Sequence, residues 1–340
     1  MKKRRVLALV ADGLIPPESL EGKTKDQIAE WKMEYDVVRA LKALGHDVSC
    51  LGASYELPKI RTAIEEFKPH IVFNMLEDFH GRVVFDQNVV SYLELLKVPY
   101  TGCNPRGLML AKDKALTKKI LTYHRIRVPG FAVFQRERRI RRGRGLHFPV
   151  IVKSLLEESS TGISQASIVK DDEQLKKRVE FVHEQVGTDA VAEEFIEGRE
   201  LYPFLGNRRL ATFPLWEMLL DKLPEGAARI ATRRAKYDLK YQDKYRIKTQ
   251  KARELPKDLA ARIARVGKRV YGVLGLSGYA RLDLRLRDDG QVFVIEANPN
   301  PDVSESEDFA DSASAAGLEY SDLVQRILTL GLRYHALWEN

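Results

Sequence analysis

The sequence predicts an α/β protein: a parallel α/β domain first, then two lobes of mixed α+β structure. Three observations carry this. Strand-like and helix-like runs alternate over about the first 100 residues, as in a parallel sheet with crossover helices. Two strand-like runs, Val128–Phe134 and Phe148–Ser154, then open a new unit. Near the C-terminus "GYARLDLRLRDDGQVFVIEANPNPD", Gly278–Asp302, reads as two apolar-alternating strands around an Asp-Gly turn. The expected domains are residues 1–103, 104–195 and 196–340.

The elements follow in order. "MKKRRVLALVADG" imitates a signal peptide, but its apolar stretch Val6–Ala11 is too short and meets Asp12 at once, so it reads as a first buried strand. Glu30–His46 has Val37, Val38, Leu41 and Leu44 at helical spacing and stops at Gly45. Asp47–Gly52 is a strand, Glu56–His70 a helix, Ile71–Leu76 a strand, Phe85–Lys97 a helix and Val98–Gly102 a short strand. One long helix is expected over Pro105–Arg125. After the two strands of the second unit come an amphipathic helix, Asp171–Gln185, and a strand, Asp189–Ile196. Sheet-like runs at Glu200–Gly206 and Arg209–Met218 lead to a charged stretch, Arg229–Arg253. A helix over Lys257–Leu274, the hairpin and a helix over Leu318–Tyr334 complete the chain.

The 340 residues, 44% apolar and 31% charged, have the composition of a soluble globular protein. Cys50 and Cys103 do not make a disulfide scaffold, which points to a reducing cytoplasm. No apolar run approaches the ~20 residues that span a bilayer, so no membrane partner is expected. The net charge of +8 owes much to the six arginines of Arg136–Arg144. Aromatics for base stacking are absent there. The cluster therefore reads as a solvated surface, with attraction of an anionic substrate second and nucleic-acid binding as a rival class of function.

The hairpin carries the chemistry. With a two-residue loop at Asp289-Gly290, Asp288 faces Gln291, Asp283 faces Glu296 and Arg281 faces Asn298. Period-2 alternation puts Arg281, Asp283, Glu296 and Asn298 on one face, and Leu282, Leu284, Phe293 and Ile295 on a core face. Opposed like charges are destabilising unless a cation lies between them. Mg²⁺ suits two carboxylates and an amide, with water and phosphate oxygens completing its octahedron. Arg281 stands where it could stabilise a developing oxyanion or a phosphate. The alternative is an exposed face on which Asp283 and Glu296 pair with Arg281 and Arg285.

Other residues suit a nucleotide. Lys153 ends a buried strand and can reach phosphates, while Ser159, Ser160 and Gly162 offer hydroxyls, N–H groups and backbone freedom to wrap them. Lys114, in "AKDKALTKK", is a weaker signal of the same kind. The extended segment "AVAEEFIEGRE" can bond an adenine edge through its backbone, with Glu200 on the ribose hydroxyls.

Together these stretches resemble the ATP-grasp enzymes, and within them the D-alanine–D-alanine ligases. The similarity runs through "FNMLEDFHGR", "VPYTGCNP", "KDKALTKK", "FPVIVK", "SSTGIS", "EEFIEGRE", "AKY", the hairpin and "AGLEYSDLVQRIL". It implies an N-terminal parallel α/β domain followed by a two-lobed ATP-grasp fold. It implies a cytoplasmic ligase that phosphorylates a carboxylate with ATP and lets an amine attack the acylphosphate. Lys114 and Lys153 would hold ATP phosphates and Lys236 the γ-phosphate. Glu193, Phe195 and Ile196 would line the adenine pocket, and Glu200 would bind ribose. Asp283, Glu296 and Asn298 would carry two Mg²⁺ ions, with Mn²⁺ as an alternative metal. Arg281 would stabilise the tetrahedral intermediate, with Lys236, Tyr237 and Ser159 at the catalytic centre. The stretch around Lys236 would be a lid over ATP. A homodimer through the first domain is implied as well.

The sequence departs from the family where substrate should bind. The family's opening Gly-Gly loop and its glutamate are replaced by "ADGLIPPESLEG", in which Glu18 is the candidate. Val83–Gln87 keeps only Asp86 of a glycine-rich acidic segment, and a family glycine becomes Asp302. Glu307 and Asp308 stand where small or apolar residues receive the second substrate's carboxylate. Acids there favour a cationic acceptor; the alternatives are that Glu305 and Glu307 point to solvent or pair with arginines, or that the protein is a true D-alanine–D-alanine ligase. His80, after a strand end, is a further substrate candidate.

Overall fold

The computed structural model describes residues 2–157, 162–206 and 211–336. Its elements run β1 (Arg5–Val10), α1 (Lys25–Glu30), α2 (Lys32–Ala43), β2 (Asp47–Gly52), α3 (Leu57–Phe67), β3 (Ile71–Asn74), α4 (Asp86–Leu95), α5 (Pro105–Lys112), α6 (Lys114–Tyr123), β4 (Phe131–Phe134), β5 (Val150–Ser154), β6 (Ile168–Val169), α7 (Asp172–Phe181), β7 (Ala190–Glu194), β8 (Arg199–Tyr202), β9 (Phe204–Gly206), β10 (Ala211–Thr212), β11 (Trp216–Leu219), α8 (Arg233–Tyr237), α9 (Leu239–Tyr245), β12 (Lys248–Lys251), α10 (Lys257–Val273), β13 (Tyr279–Leu286), β14 (Val292–Pro299), α11 (Asp308–Ser314) and α12 (Tyr320–Leu332).

The first sheet is parallel in the order β2-β1-β3, as the alternation predicts. Its central strand is buried from Val6 to Val10, which is why that run carries no polar face. The last helix, α12, returns to this sheet: Leu323, Val324, Ile327 and Leu328 share a core with Val6, Ala8, Val37 and Phe73. Val98–Gly102 is not a strand; it makes a single parallel bridge between Tyr100 and Val72.

The helix expected over Glu30–His46 forms as α2, and the short helix α1, which the sequence reading did not include, precedes it across Trp31. The single helix expected over Pro105–Arg125 is broken at Asp113, whose φ of −80° and ψ of 97° leave the helix and whose carboxylate accepts from Leu116 N at 2.8 Å. An aspartate in that position caps a new helix better than it continues an old one.

The second sheet is antiparallel in the order β4-β7-β5-β6 and packs on Leu175 and Val179 of α7. The third has seven strands, with β13 lying between β14 on one edge and β9 and β8 on the other.

The hairpin corrects two expectations at once. The connection is a three-residue loop: Arg287 N donates to Gln291 O at 3.0 Å, Gly290 N donates to Arg287 O at 2.9 Å, and Gly290 takes a φ of 78°. That shifts the pairing by one residue, so Leu286 faces Val292 and Leu284 faces Val294. A β-bulge at Ile295 shifts it back, and Asp283 meets Glu296 and Arg281 meets Asn298. The buried face is accordingly Leu282, Leu284, Leu286, Val292, Val294 and Ala297, not Phe293 and Ile295.

The hairpin is docked by a close seam on the segment that follows the first sheet. Cys103 N donates to Asn300 Oδ1 at 2.7 Å, and Asn104 N donates to Ser277 Oγ at 2.8 Å.

Candidate active site

A cleft of about 770 Å³ lies where the three sheets meet. Its floor is the polar face of the hairpin, with Arg281, Asp283, Glu296 and Asn298 all in the lining. The break at Asp113 turns Lys112 and Lys114 into it, and β5 delivers Lys153 at its end.

The two facing acids are compensated inside the protein. Arg281 Nε lies 2.8 Å from Asp283 Oδ1 and its guanidinium stands 5.3 Å over the Tyr202 ring. Lys114 Nζ lies 3.3 Å from Glu296 Oε1 and donates to Glu157 O at 2.6 Å. Burial alone would raise the Glu296 carboxyl, but Lys114, Lys153, Lys236 and Lys118 hold it down to about 2. The face is thus half-buried and ionic, with Asp283 its most buried member. Among the described residues no three His, Cys, Asp or Glu side chains converge as a metal cluster. Two carboxylates with the amide of Asn298 are an all-oxygen set, and that suits a hard cation whose other ligands are phosphate and water.

A narrower pocket of about 80 Å³ opens from the cleft. Phe195, Ile196, Glu193, Glu200, Lys153 and Lys236 all line it, so the expected adenine and ribose residues are brought together with two of the expected phosphate lysines. Glu200 is bound at 2.6 Å by Arg285 and accepts from Tyr202 Oη at 2.9 Å. Burial opposes its charge, and Arg285 with Lys236 outweighs burial and lowers its pKa. Glu193 is engaged more tightly than a pocket wall needs: Lys118 Nζ is 2.8 Å from one oxygen and Lys153 Nζ 3.2 Å from the other. Gly162 sits at the edge of the described loop with a φ of 70°; its carbonyl accepts from Arg178. Ser159 and Ser160 lie outside the described residues.

Over the cleft stand Lys236 and Tyr237 of α8, the latter 60% exposed. The charged stretch is folded as α8, α9 and β12, with Leu220, Ala235 and Ile247 as a small core.

The opposite end is acidic. Asp302, Glu307, Asp308, Asp311 and Glu77 line it. Burial, then Asp302, raises the Glu307 carboxyl; burial also raises that of Asp308, against the Thr249 hydroxyl that bonds it. Behind them Glu34 is buried on α2. Burial, with Glu77 and Asp302 adding, pushes its carboxyl up to about 7 against the opposing pull of its own backbone N–H. Glu305 differs: it is paired with Arg39, and its N–H donates to Asp36 Oδ2 at 3.0 Å. Glu18 is exposed on the loop before α1 and is not in the lining. His80 is exposed too, held by its N–H to Ser54 O and edge-on to Tyr55 and Phe79.

Three residues of this region escaped the sequence. Lys118 was legible, one turn after Lys114 on the same helix face. Glu77 follows the end of β3, where ligand sites form in α/β sheets. Glu34 gave no signal, because an acid in an amphipathic helix is ordinarily solvated.

Residues 120–329 match the family model described as "D-ala D-ala ligase C-terminus". The chain belongs to the D-alanine–D-alanine ligase family of ATP-grasp, ATP-dependent ligases. A D-alanine–D-alanine ligase of Syntrophotalea carbinolica is 32% identical over 297 residues, covering 86% of this chain and 88% of that one. An uncharacterised protein of Sinorhizobium fredii is 32% identical over 311 residues, 87% of this chain and 86% of that one. In structure, the chain is similar to the Bacillus anthracis D-alanine–D-alanine ligase complexed with ATP. That match has a TM-score of 0.74 and 23% identity, over 97% of this chain and 98% of that one, and supports the ATP-grasp fold. No described helix is long and apolar enough to cross a membrane.

Proposed function

We propose that this protein is a cytoplasmic ATP- and Mg²⁺-dependent carboxylate–amine ligase whose acceptor is cationic. The carrying observation is that one cleft holds lysines and an all-oxygen metal set at one end and acids at the other.

Phosphoryl transfer needs positioning and charge neutralisation more than covalent help. Lys114, Lys153 and Lys236 hold the phosphates while a donor carboxylate oxygen takes the γ-phosphoryl group and ADP leaves. Asp283, Glu296 and Asn298 would hold two Mg²⁺ ions, which neutralise phosphate charge when bound. The amine nitrogen then attacks the acyl carbon, phosphate departs, and the new amide nitrogen loses a proton. Arg281 faces the charge that builds on the acyl oxygen. Tyr237 and α8 close over the nucleotide and keep water from the acylphosphate.

Asp302, Glu307 and Asp308 repel a carboxylate and attract an ammonium, which favours an amine or a basic amino acid over D-alanine. Glu305 has no part in this, being paired with Arg39. An ADP-release screen over D-alanine, basic amino acids and polyamines, with product masses, tests the proposal. Turnover with cationic acceptors is expected. Efficient D-alanyl-D-alanine synthesis would make the protein a true D-alanine–D-alanine ligase and overturn the cationic acceptor.

A further inference from the structure

Lys118 lies one helical turn beyond Lys114 in α6 and is 1% exposed. A bare ammonium is not kept in a dry interior without partners that offset its lost hydration. Burial lowers its pKa, and Glu193 opposes that shift. Its Nζ is 2.8 Å from Glu193 Oε1 and donates to the Ile295 carbonyl at 2.9 Å. The other oxygen of Glu193 holds Lys153 Nζ at 3.2 Å. Ile295 is the extra residue of the bulge that brings Glu296 opposite Asp283.

We propose that Lys118 is a positioning residue for phosphoryl transfer, fixing Lys153 through Glu193 and fixing the bulge that presents Glu296. Charge supports this as much as place does. Glu193 with Lys153 alone is a neutral pair, and its carboxylate cancels the charge a phosphate needs. With Lys118 on the second oxygen the trio carries net positive charge, and Lys153 keeps its attraction for phosphate. The Ile295 contact ties the same ammonium to the metal side, so nucleotide and metal sites share one strut. This role rests on the ligase reading above for Lys153 and Glu296.

The test titrates a non-hydrolysable ATP analogue and Mg²⁺ into the whole protein, wild type against Lys118→Met and Lys118→Met/Glu193→Gln. In Lys118→Met, analogue affinity is expected to fall by about 10- to 100-fold, the loss of one charge-assisted contact, with Mg²⁺ half-saturation raised as well. In the double variant the carboxylate no longer neutralises Lys153, so analogue affinity rises above that of Lys118→Met, while the Mg²⁺ requirement stays raised because the Ile295 contact is still missing. The double variant leaves positions 118 and 193 without charge and keeps the test open should the single one unfold. Wild-type affinity and Mg²⁺ dependence in the folded variants would overturn the role, leaving Lys118 a packing residue. A wild-type protein that fails to bind the analogue would instead sink the ligase reading itself.

Discussion

Asp283 and Glu296 face each other across β13 and β14, yet each is held by a different cation, Arg281 at 2.8 Å and Lys114 at 3.3 Å. These two ion pairs offset the repulsion between the facing acids. On the proposed reading Lys114 and Glu296 would exchange this contact for phosphate and metal when nucleotide binds.

If Glu296 holds metal as proposed, Glu296→Gln is expected to lower ADP release by about 100-fold or more, through loss of a charged contact. Stability moves in a known direction. The folded carboxyl sits near 2 against an ordinary 4.5, so its charge stabilises the fold above about pH 4.5 and that gain is lost as pH falls toward 2. The gap in melting temperature between wild type and variant closes over that window. Turnover at the wild-type rate would remove Glu296 from the metal site.

Lys153→Ala removes the proposed phosphate contact but leaves Glu193 paired with Lys118. The expected result is a folded protein whose KM for ATP rises by about 10-fold or more, the worth of one charge-assisted bond. An unchanged KM for ATP, measured by ADP release under saturating acceptor, would contradict the phosphate role.

Glu34 works in the opposite sense to Glu296. Its carboxyl rises from about 4.5 to about 7 in the fold, so the native state holds a proton that the unfolded chain gives up, and stability falls as pH rises between those values. Glu34→Gln should flatten that slope and gain on the order of 3 kcal/mol at pH 8, since each tenfold change in proton affinity is worth about 1.4 kcal/mol. Melting curves from pH 5 to 8 measure it, and parallel wild-type and variant curves would refute it.

The parts of this molecule that were legible are those in which periodicity and chemistry agree. β1 is apolar from Val6 to Val10 because both faces are covered there, and the polar face of the hairpin stood out because Arg281, Asp283, Glu296 and Asn298 break an apolar alternation. The loop length was not legible, because Asp288-Asp289-Gly290 serves a three-residue turn as well as a two-residue one. The bulge at Ile295 has no residue signature, yet it restores the register that the longer loop displaced. The break at Asp113 was hidden in a run of good helix formers. Glu34 acquires meaning only from neighbours far away in the chain, as does the pairing of Glu305 with Arg39.

Glu307→Ser tests the acidic end of the cleft. If Glu307 receives a cationic acceptor, kcat/KM for that amine falls by about 10- to 100-fold, as for loss of a charged contact, while turnover of D-alanine holds or rises. Parallel loss for both acceptors would assign Glu307 to structure alone.

The seam that aims the hairpin at the cleft depends on glycine. Gly278 has a φ of 65°, and a Cβ there would come within 2.4 Å of the Gly102 carbonyl oxygen. Two penalties coincide: a left-handed conformation that side chains resist, and a collision with backbone that cannot swing aside. The same segment carries Asn104 on Ser277 and Asn300 on Cys103, so relief by backbone movement would loosen the bonds that hold Asn298 and Asp302 in place. Gly278→Ala is expected to cost on the order of 2–4 kcal/mol in urea unfolding, in the range of a strained backbone with a steric clash. It should also raise the Mg²⁺ concentration needed for activity in the fraction that remains folded. A stability loss below ~1 kcal/mol, the size of an ordinary exposed glycine replacement, would show that Gly278 and Gly102 are not locked together at this point.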